Sequence, residues 1–292
     1  VATIEGPKVD RFVQVTSRSV LSVFVWFLFA LFVLGPLLTI VAISLIPNLF
    51  TGQHNLTFHW YARLFSEPAL YAPLVRSIEI AVIVVFIQLF FGSLIAFSTV
   101  RDKIFGARLL DAMSNITIAL PSVVVGLALL AFYGPYGPII PIADFLFGNP
   151  FLLQWTLWIV VFAHTLETFP YMVRSMTAGL MKLDPLLESA GRSLGAGRWT
   201  VFRTITLPQL RPNLVAGGVL VLSRSIAEFG ATIVVVSAAL KTAPIKVYEE
   251  AEAGSLELAS AYSVVLMMTS FIAYVAMSRW LLRREREVAN QL

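Results

Sequence analysis

The sequence contains no cysteine and only three histidines. The first absence excludes disulfides, thiolate metal sites and cysteine nucleophiles, and the second leaves little for a metal cluster. Charge is scarce as well. Asp, Glu, Lys and Arg make up 13% of the 292 residues, against about 25% in a soluble domain. Apolar residues fill the gap, at 58% of the chain, with a mean hydropathy of +0.83. A globule of this size cannot enclose so much apolar surface, so the excess must face lipid. An ordinary soluble enzyme and a disordered chain are both excluded. The net charge of +4 would suit nucleic acid on a soluble protein, but in a membrane protein basic residues set topology. No nucleic-acid partner is expected.

About 20 consecutive, mostly apolar residues are needed to cross the hydrocarbon core as a helix. Six stretches qualify, at residues 20–46, 77–100, 110–133, 152–176, 213–237 and 258–282. Pro36, Pro121 and Pro170 interrupt them, which membrane helices tolerate when neighbours satisfy the freed carbonyls. The short alternating segments of a β-barrel are missing. The expected fold class is therefore an all-α polytopic membrane protein with six transmembrane helices. No repeat or Gly/Ser linker divides it, so residues 20–282 read as one transmembrane domain. Residues 1–19 and 283–292 flank it as cytoplasmic segments.

Orientation follows from Lys and Arg. With the N-terminus inside, 16 of the 21 basic residues fall in four cytoplasmic segments. These hold Lys8 to Arg18, Arg101 to Arg108, Arg174 to Arg211, and Arg279 to Arg286. Only Arg63, Arg76, Lys241 and Lys246 fall outside, and Arg224 lies within a span. The bias predicts both ends in the cytoplasm. The first span is too long for a secretory signal and lacks a cleavage site after it. The segment before it mixes Phe12, Val13 and Val15 with basic residues, compatible with an inner-leaflet amphipathic stretch or a solvated lead-in. Trp60, Tyr61, Tyr71, Tyr133 and Tyr136 suit the outer interface.

Catalytic signatures are missing too. Neither G-x4-G-K-S/T nor H-E-x-x-H occurs, so no P-loop or zinc-protease chemistry is expected. His164-x-x-Glu167 is only a fragment of a metal site. Solute movement across the membrane is the remaining expectation, with no cofactor bound by this chain and no catalytic residue.

The loop between spans four and five, about residues 182–211, is the most informative stretch. Asp184-Pro185 reads as an N-cap followed by proline at the first helical position. Leu186, Leu187, Ala190 and Leu194 then share one apolar face, and Gly195 and Gly197 end the helix. A second short helix is expected over 198–206, with Trp199, Phe202 and Ile205 on one side. Such a helix below the membrane either docks into a partner's groove or lies against its own bundle.

These residues resemble a family. Ser189-Ala190-Gly191-x3-Gly195, nine residues, then Ile205-x-Leu207-Pro208 is similar to the E-A-A-x3-G-x9-I-x-L-P loop of ABC importer permeases. Ser189 replaces the usual Glu and Gly191 the second Ala, while a Glu stands one position earlier at Glu188. The stretches 119–129, 133–138 and Ser223 to Thr232, with its E-F-G-A-T core, resemble the sulfate, molybdate and tungstate branch. Residues 55–76 also resemble permeases for polyamine, iron and phosphonate. The resemblance implies a type I ABC importer permease fold in the cell membrane. It further implies a second permease copy or paralogue, a cytoplasmic ATPase dimer carrying ATP and Mg, and an extracytoplasmic binding protein. The helix from Leu186 to Gly195 would be the coupling element, with Glu188 and the Ile205, Leu207, Pro208 run in the same loop. The implied cargo is a small oxyanion, with phosphonate, polyamine, ferric iron or thiamine as alternatives. A transporter or channel working without an ATPase is the alternative of another class.

Charges inside the membrane are the remaining candidates. Arg224 and Glu228 stand four apart in span five, and His164 and Glu167 three apart in span four. Each is costly in lipid and must face the protein interior or a polar pathway. Either a structural pair within each helix or a pathway lining satisfies that demand. The charged outer run Lys246, Glu249, Glu250, Glu252 and Glu257 is a solvated face or a docking surface.

Overall fold

The computed structural model describes residues 21–47, 49, 55–102, 106, 109, 112, 116–147 and 156–289. The lead-in 1–19 and most of the expected third span before residue 116 lie outside them. Among the described residues every regular element is helical.

Helix α1 (Leu21–Leu45) is exposed over most of its length up to Thr39, as expected of a span that lipid surrounds. It is covered over its last six residues, where Ser44 is buried and bonded to Tyr61. Its middle widens into a π-helical turn, Ala30–Leu34, just before Pro36. The wider register accommodates the imino residue without breaking the helix. Helix α2 (His59–Ser66) lies beyond it and leads into α3 (Pro68–Phe97), which ends in a second π turn, Ser98–Asp102. Helices α4 (Ser122–Tyr133) and α5 (Ile139–Phe147) follow, then the long α6 (Leu157–Lys182). Beyond α6 come the short α7 (Pro185–Ser193) and then α8 (Arg198–Ile226). The chain finishes with α9 (Gly230–Val235), α10 (Ala243–Glu252) and α11 (Leu256–Ala289).

Four of the described helices, α1, α3, α8 and the first part of α11, are long and apolar enough to cross a membrane. At 26 residues α6 has the length as well, about 39 Å at 1.5 Å per residue. It carries His164, Glu167 and Arg174 and buries much of its surface, so its apolarity is lower than that of a lipid-facing span. Two expectations are modified. The third stretch is broken at residues 120–121: residues 116–119 are helical, and α4 starts afresh at Ser122 after Pro121, whose backbone is extended. The fifth, expected over 213–237 with Gly217, Gly218 and Gly230 as places for close approach or a break, is interrupted at residues 227–229, just before Gly230. Conversely, Pro170 lies inside α6 without ending it, and the short helix expected over 198–206 runs on into α8. A third π turn, Phe202–Thr206, carries the chain past Pro208, with Leu207 N–H donating back to Phe202 O.

The core is a three-helix seam of α3, α6 and α8. Ile80, Val84 and Ala96 of α3, Ile159, Met172, Met176 and Leu180 of α6, and Leu210 and Val221 of α8 belong to its buried cluster. Polar ties fix the register. Gln88 Nε2 donates to Thr165 O at 2.6 Å, and Ser175 and Asn213 exchange two bonds between α6 and α8 at 2.7 and 3.0 Å. Small residues allow the close approach. A Cβ on Gly126 of α4 would sit 2.5 Å from Ala231 O of α9. A second cluster, Leu64, Leu70, Leu74, Ala243, Leu258 and Tyr262, binds α2 and α10 to the ends of α3 and α11. The Tyr262 hydroxyl donates to Leu70 O there.

Candidate functional site

Helix α7 forms as its local sequence dictates. Asp184 Oδ1 accepts the Leu186 N–H at 2.9 Å, and Pro185 opens the first turn. At the other end Gly195 adopts φ +85°. Its N–H donates to Arg192 O at 3.0 Å and that of Ala196 to Gly191 O at 3.1 Å, a Schellman closure. The helix is thus capped at both ends and behaves as one short rigid unit.

Its two faces differ. Leu186, Leu187 and Leu194 are exposed at 71%, 45% and 89%, and Ala190 is exposed beside them. The predicted apolar face therefore points away from the bundle, which disposes of the alternative in which it packs on its own spans. The opposite face is carried by Glu188 and Gly191, whose separate roles the loop pattern does not reveal. A Cβ on Gly191 would lie 2.8 Å from Ile205 Cδ1, so a residue larger than glycine there forces Ile205 to shift. Glu188 is buried. Its Oε1 accepts from Thr206 Oγ1 at 2.9 Å and lies 3.6 Å from Arg101 Nε. Arg101 in turn donates through Nη2 to Leu183 O at 3.0 Å. Glu188 thereby ties α7 to the π turn of α8 and to the end of α3. Ser189 stays at the surface, its hydroxyl donating to Pro185 O at 3.1 Å. Gly191 to Gly195 also spells G-x-S-x-G. Ser193 stands at a helix end and donates to Ser189 O at 3.1 Å, without the strand-to-helix turn that a hydrolase nucleophile needs.

The intramembrane polar side chains associate across helices rather than along them. Arg224 Nη2 lies 3.4 Å from Glu167 Oε2, and His164 Nε2 lies 3.8 Å from Glu228 Oε2. The expected partners, Arg224 with Glu228 and His164 with Glu167, are exchanged. The reason is the break at residues 227–229. Continued helix would put Glu228 one turn above Arg224, but the chain turns, and Glu228 accepts the N–H groups of Ala231 at 2.9 Å and Thr232 at 3.1 Å. Its carboxylate caps the start of α9, where free N–H groups and the helix dipole favour negative charge. Thr232 Oγ1 also donates to Glu228, so its oxygen is open to the His164 Nε2–H at 2.8 Å. In the neutral ring Nδ1 is then the acceptor for Ser225 Oγ, 2.8 Å away. On the far side Ser122 Oγ, at the first residue of α4, donates to Glu167 Oε2 at 3.1 Å. Two neighbouring polar clusters, Ser122–Glu167–Arg224 and Ser225–His164–Thr232–Glu228, therefore tie α4, α6, α8 and α9, and the Arg224 side chain, 33% exposed, reaches toward the surface.

Comparison with known proteins agrees with this architecture. A family model described as the binding-protein-dependent transport system inner membrane component matches residues 88–287. The molybdenum transport system permease protein ModB of Escherichia coli is 36% identical over 231 residues, covering 78% of this chain and 100% of ModB. A putative molybdenum permease of Bacillus subtilis, YvgM, is 30% identical over 210 residues, 71% of this chain and 92% of YvgM. The sulfate permease CysT of Escherichia coli is 36% identical over 146 residues, 49% of this chain and 50% of CysT. Among solved structures, a bacterial ABC transporter involved in the import of the acidic polysaccharide alginate superimposes with a TM-score of 0.67. Identity there is 17%, over 91% of this chain and 96% of that one, a likeness of fold alone. The helical seam, the capped surface helix and these relatives together define a multi-pass permease subunit of the ABC importer class. The chain belongs to the binding-protein-dependent transport system inner membrane component family, in the branch of the molybdate and sulfate permeases.

Proposed function

We propose that this chain forms half of a translocation pathway for a small oxyanion, molybdate or tungstate in the first instance. The observation that carries the reading is the match to ModB over that protein's whole length. Sulfate is the second cargo, favoured by the similarity to CysT. In this reading the chain sits in the cell membrane with six spans and both termini in the cytoplasm. Helix α4 belongs to the third span, α6 is the fourth, and α8 with α9 makes the fifth. Residues 20–282 are the permease domain.

Two permease subunits, identical or paralogous, enclose the pathway. Each offers α7 to one subunit of an ATPase dimer, which holds ATP and Mg, and an extracytoplasmic protein delivers the cargo. The exposed Leu186, Leu187, Ala190 and Leu194 enter the ATPase groove, while Glu188 on the inner face passes the motion to Arg101 and Thr206. From Thr206 the force reaches α8 directly, because the chain from Arg198 to Ile226 is one helix. Leu207 and Pro208 lie on that route. At its far end Arg224, Glu228, His164 and Glu167 hold the interrupted fifth span against the fourth, so a push on α7 moves these spans as a body.

The test is reconstitution with the ATPase and the binding protein in proteoliposomes. Molybdate uptake requiring both partners and ATP, with sulfate as competitor, is the expected result. Uptake by this chain alone, or without ATP, would overturn the importer mechanism and favour an ATPase-independent transporter. The chain has no cysteine, so single-cysteine labelling at Glu5 and Glu257 reads the two membrane sides directly.

A further inference from the structure

A groove of about 710 Å³ runs along the outside of the bundle between α3 and α8. Val82, Val85, Phe86 and Leu89 form one wall, and Leu214 to Leu222 of α8 the other. Gly218 opens it, since the space its side chain would take lies 3.8 Å from Val85 Cγ1 and 4.0 Å from Leu89 Cδ2. One cation stands at one end. Arg211 lines the groove, is exposed, and forms no ion pair with any described residue. From Arg211 to Leu222 the wall extends about 16 Å, at 1.5 Å per residue. That is about half of a 30 Å hydrocarbon core, or one leaflet.

We infer that this groove is a binding site for one anionic phospholipid of the inner leaflet, its phosphodiester on Arg211 and an acyl chain along Gly218. Three features converge on that occupant. The walls are apolar over a leaflet's depth, the sole charge is a guanidinium at one end, and its planar donors match a phosphate. An arginine within a span's first turns that has no ion-pair partner among the described residues reaches for the interface, where phosphates lie. Placement in the inner leaflet rests on the topology proposed above. The site clasps the two helices that the coupling motion would displace together.

The test uses the full chain, purified with its ATPase partner and examined by native mass spectrometry with added phosphatidylglycerol or phosphatidylcholine. Phosphatidylglycerol is expected to remain bound preferentially. Arg211→Gln should lower that preference about fivefold, the scale of one cation at an anionic surface. Gly218→Leu should expel the lipid while Arg211 is retained. Retained ATPase in both variants reports a folded chain, and a variant that loses it is replaced by Arg211→Met, which also removes the cation, or by Gly218→Val. Equal retention of the two lipids, or binding unchanged in both variants, would refute the site. So would disulfide linkage of two copies through Val215→Cys, which would put a second protein in the groove. Failure of ATP-driven uptake with lipid binding intact would instead count against the importer reading alone.

Discussion

Arg224 on α8 reaches across to Glu167 on α6, 3.4 Å away, and leaves Glu228, four residues along its own chain, to cap α9. This exchange of partners is open to a direct measurement. In a double-mutant cycle on thermal stability in detergent, Arg224→Gln and Glu167→Gln should be coupled, by about 0.5–3 kcal/mol for residues in contact. The same cycle with Arg224→Gln and Glu228→Gln should be close to additive. Strong coupling in the second cycle would restore the pairing that helical spacing suggests.

Glu228→Gln should itself be costly. The carboxylate accepts from Ala231 N, Thr232 N and Thr232 Oγ1, and an amide replaces one acceptor by a donor facing those same groups. Leaving a buried polar group unsatisfied costs about 1–3 kcal/mol. The melting temperature of the purified complex should fall accordingly, and a value equal to that of the parent protein would show that Glu228 is not the cap of α9.

The packing of α4 on α9 makes a similar demand at Gly126. A side chain there meets the Ala231 carbonyl, which is backbone and cannot swing away. Gly126→Val should destabilise the protein by about 1–3 kcal/mol, the usual scale for overpacking. By contrast Gly218→Val, with nothing nearer than 3.8 Å, should leave the melting temperature unchanged. Equal effects at the two glycines would contradict the close contact.

The all-helical membrane class, the four helices long and apolar enough to cross, and the helix-start and helix-stop signals around Asp184 and Gly195 were legible in the sequence because they are local. Apolar run length and capping chemistry involve residues within a few positions of each other. The outward face of α7 was legible for the same reason. What could not be read was which way a break turns. Arg224 and Glu228 have helical spacing, and Gly230 permits a break in this span, but nothing local says that the helix stops at Ile226 or turns Glu228 toward the next helix. The role of Glu188 was hidden too, because both of its partners are distant in the chain. Thr206 is 18 residues away, and Arg101 lies at the end of another span. The loop spacing drew attention to Ser189, and only the fold shows that the acid one place earlier turns inward.

Gly195 should be sensitive through its backbone alone. With φ +85° and no atom within 4 Å of the point a Cβ would occupy, a substitution meets empty space but a strained conformation. The left-handed region costs an ordinary residue about 1–2 kcal/mol, and asparagine tolerates it best. In the proposed mechanism Gly195→Val loosens the end of α7, so proteoliposomes should hydrolyse ATP while taking up less molybdate per ATP. Gly195→Asn should keep most of the parent ratio. Identical ratios in all three would remove α7 from the coupling route.

The two faces of α7 should separate binding from transmission. Leu187 is 45% exposed on the outer face, so Leu187→Asp removes only peripheral contacts and should lower the melting temperature of the isolated chain by little. A carboxylate in an apolar groove is expensive to desolvate, so the ATPase should no longer co-purify. Glu188→Gln acts on the inner face instead. It retains an acceptor for Thr206 but loses the charge beside Arg101, so the ATPase should still bind while uptake falls relative to hydrolysis. The two variants must therefore differ in kind, one failing in a pull-down and the other passing it but failing in uptake. If Leu187→Asp retained the ATPase, the exposed leucines would not be the docking face. If Glu188→Gln behaved as the parent in both assays, the link from α7 through Arg101 and Thr206 into α8 would carry no force.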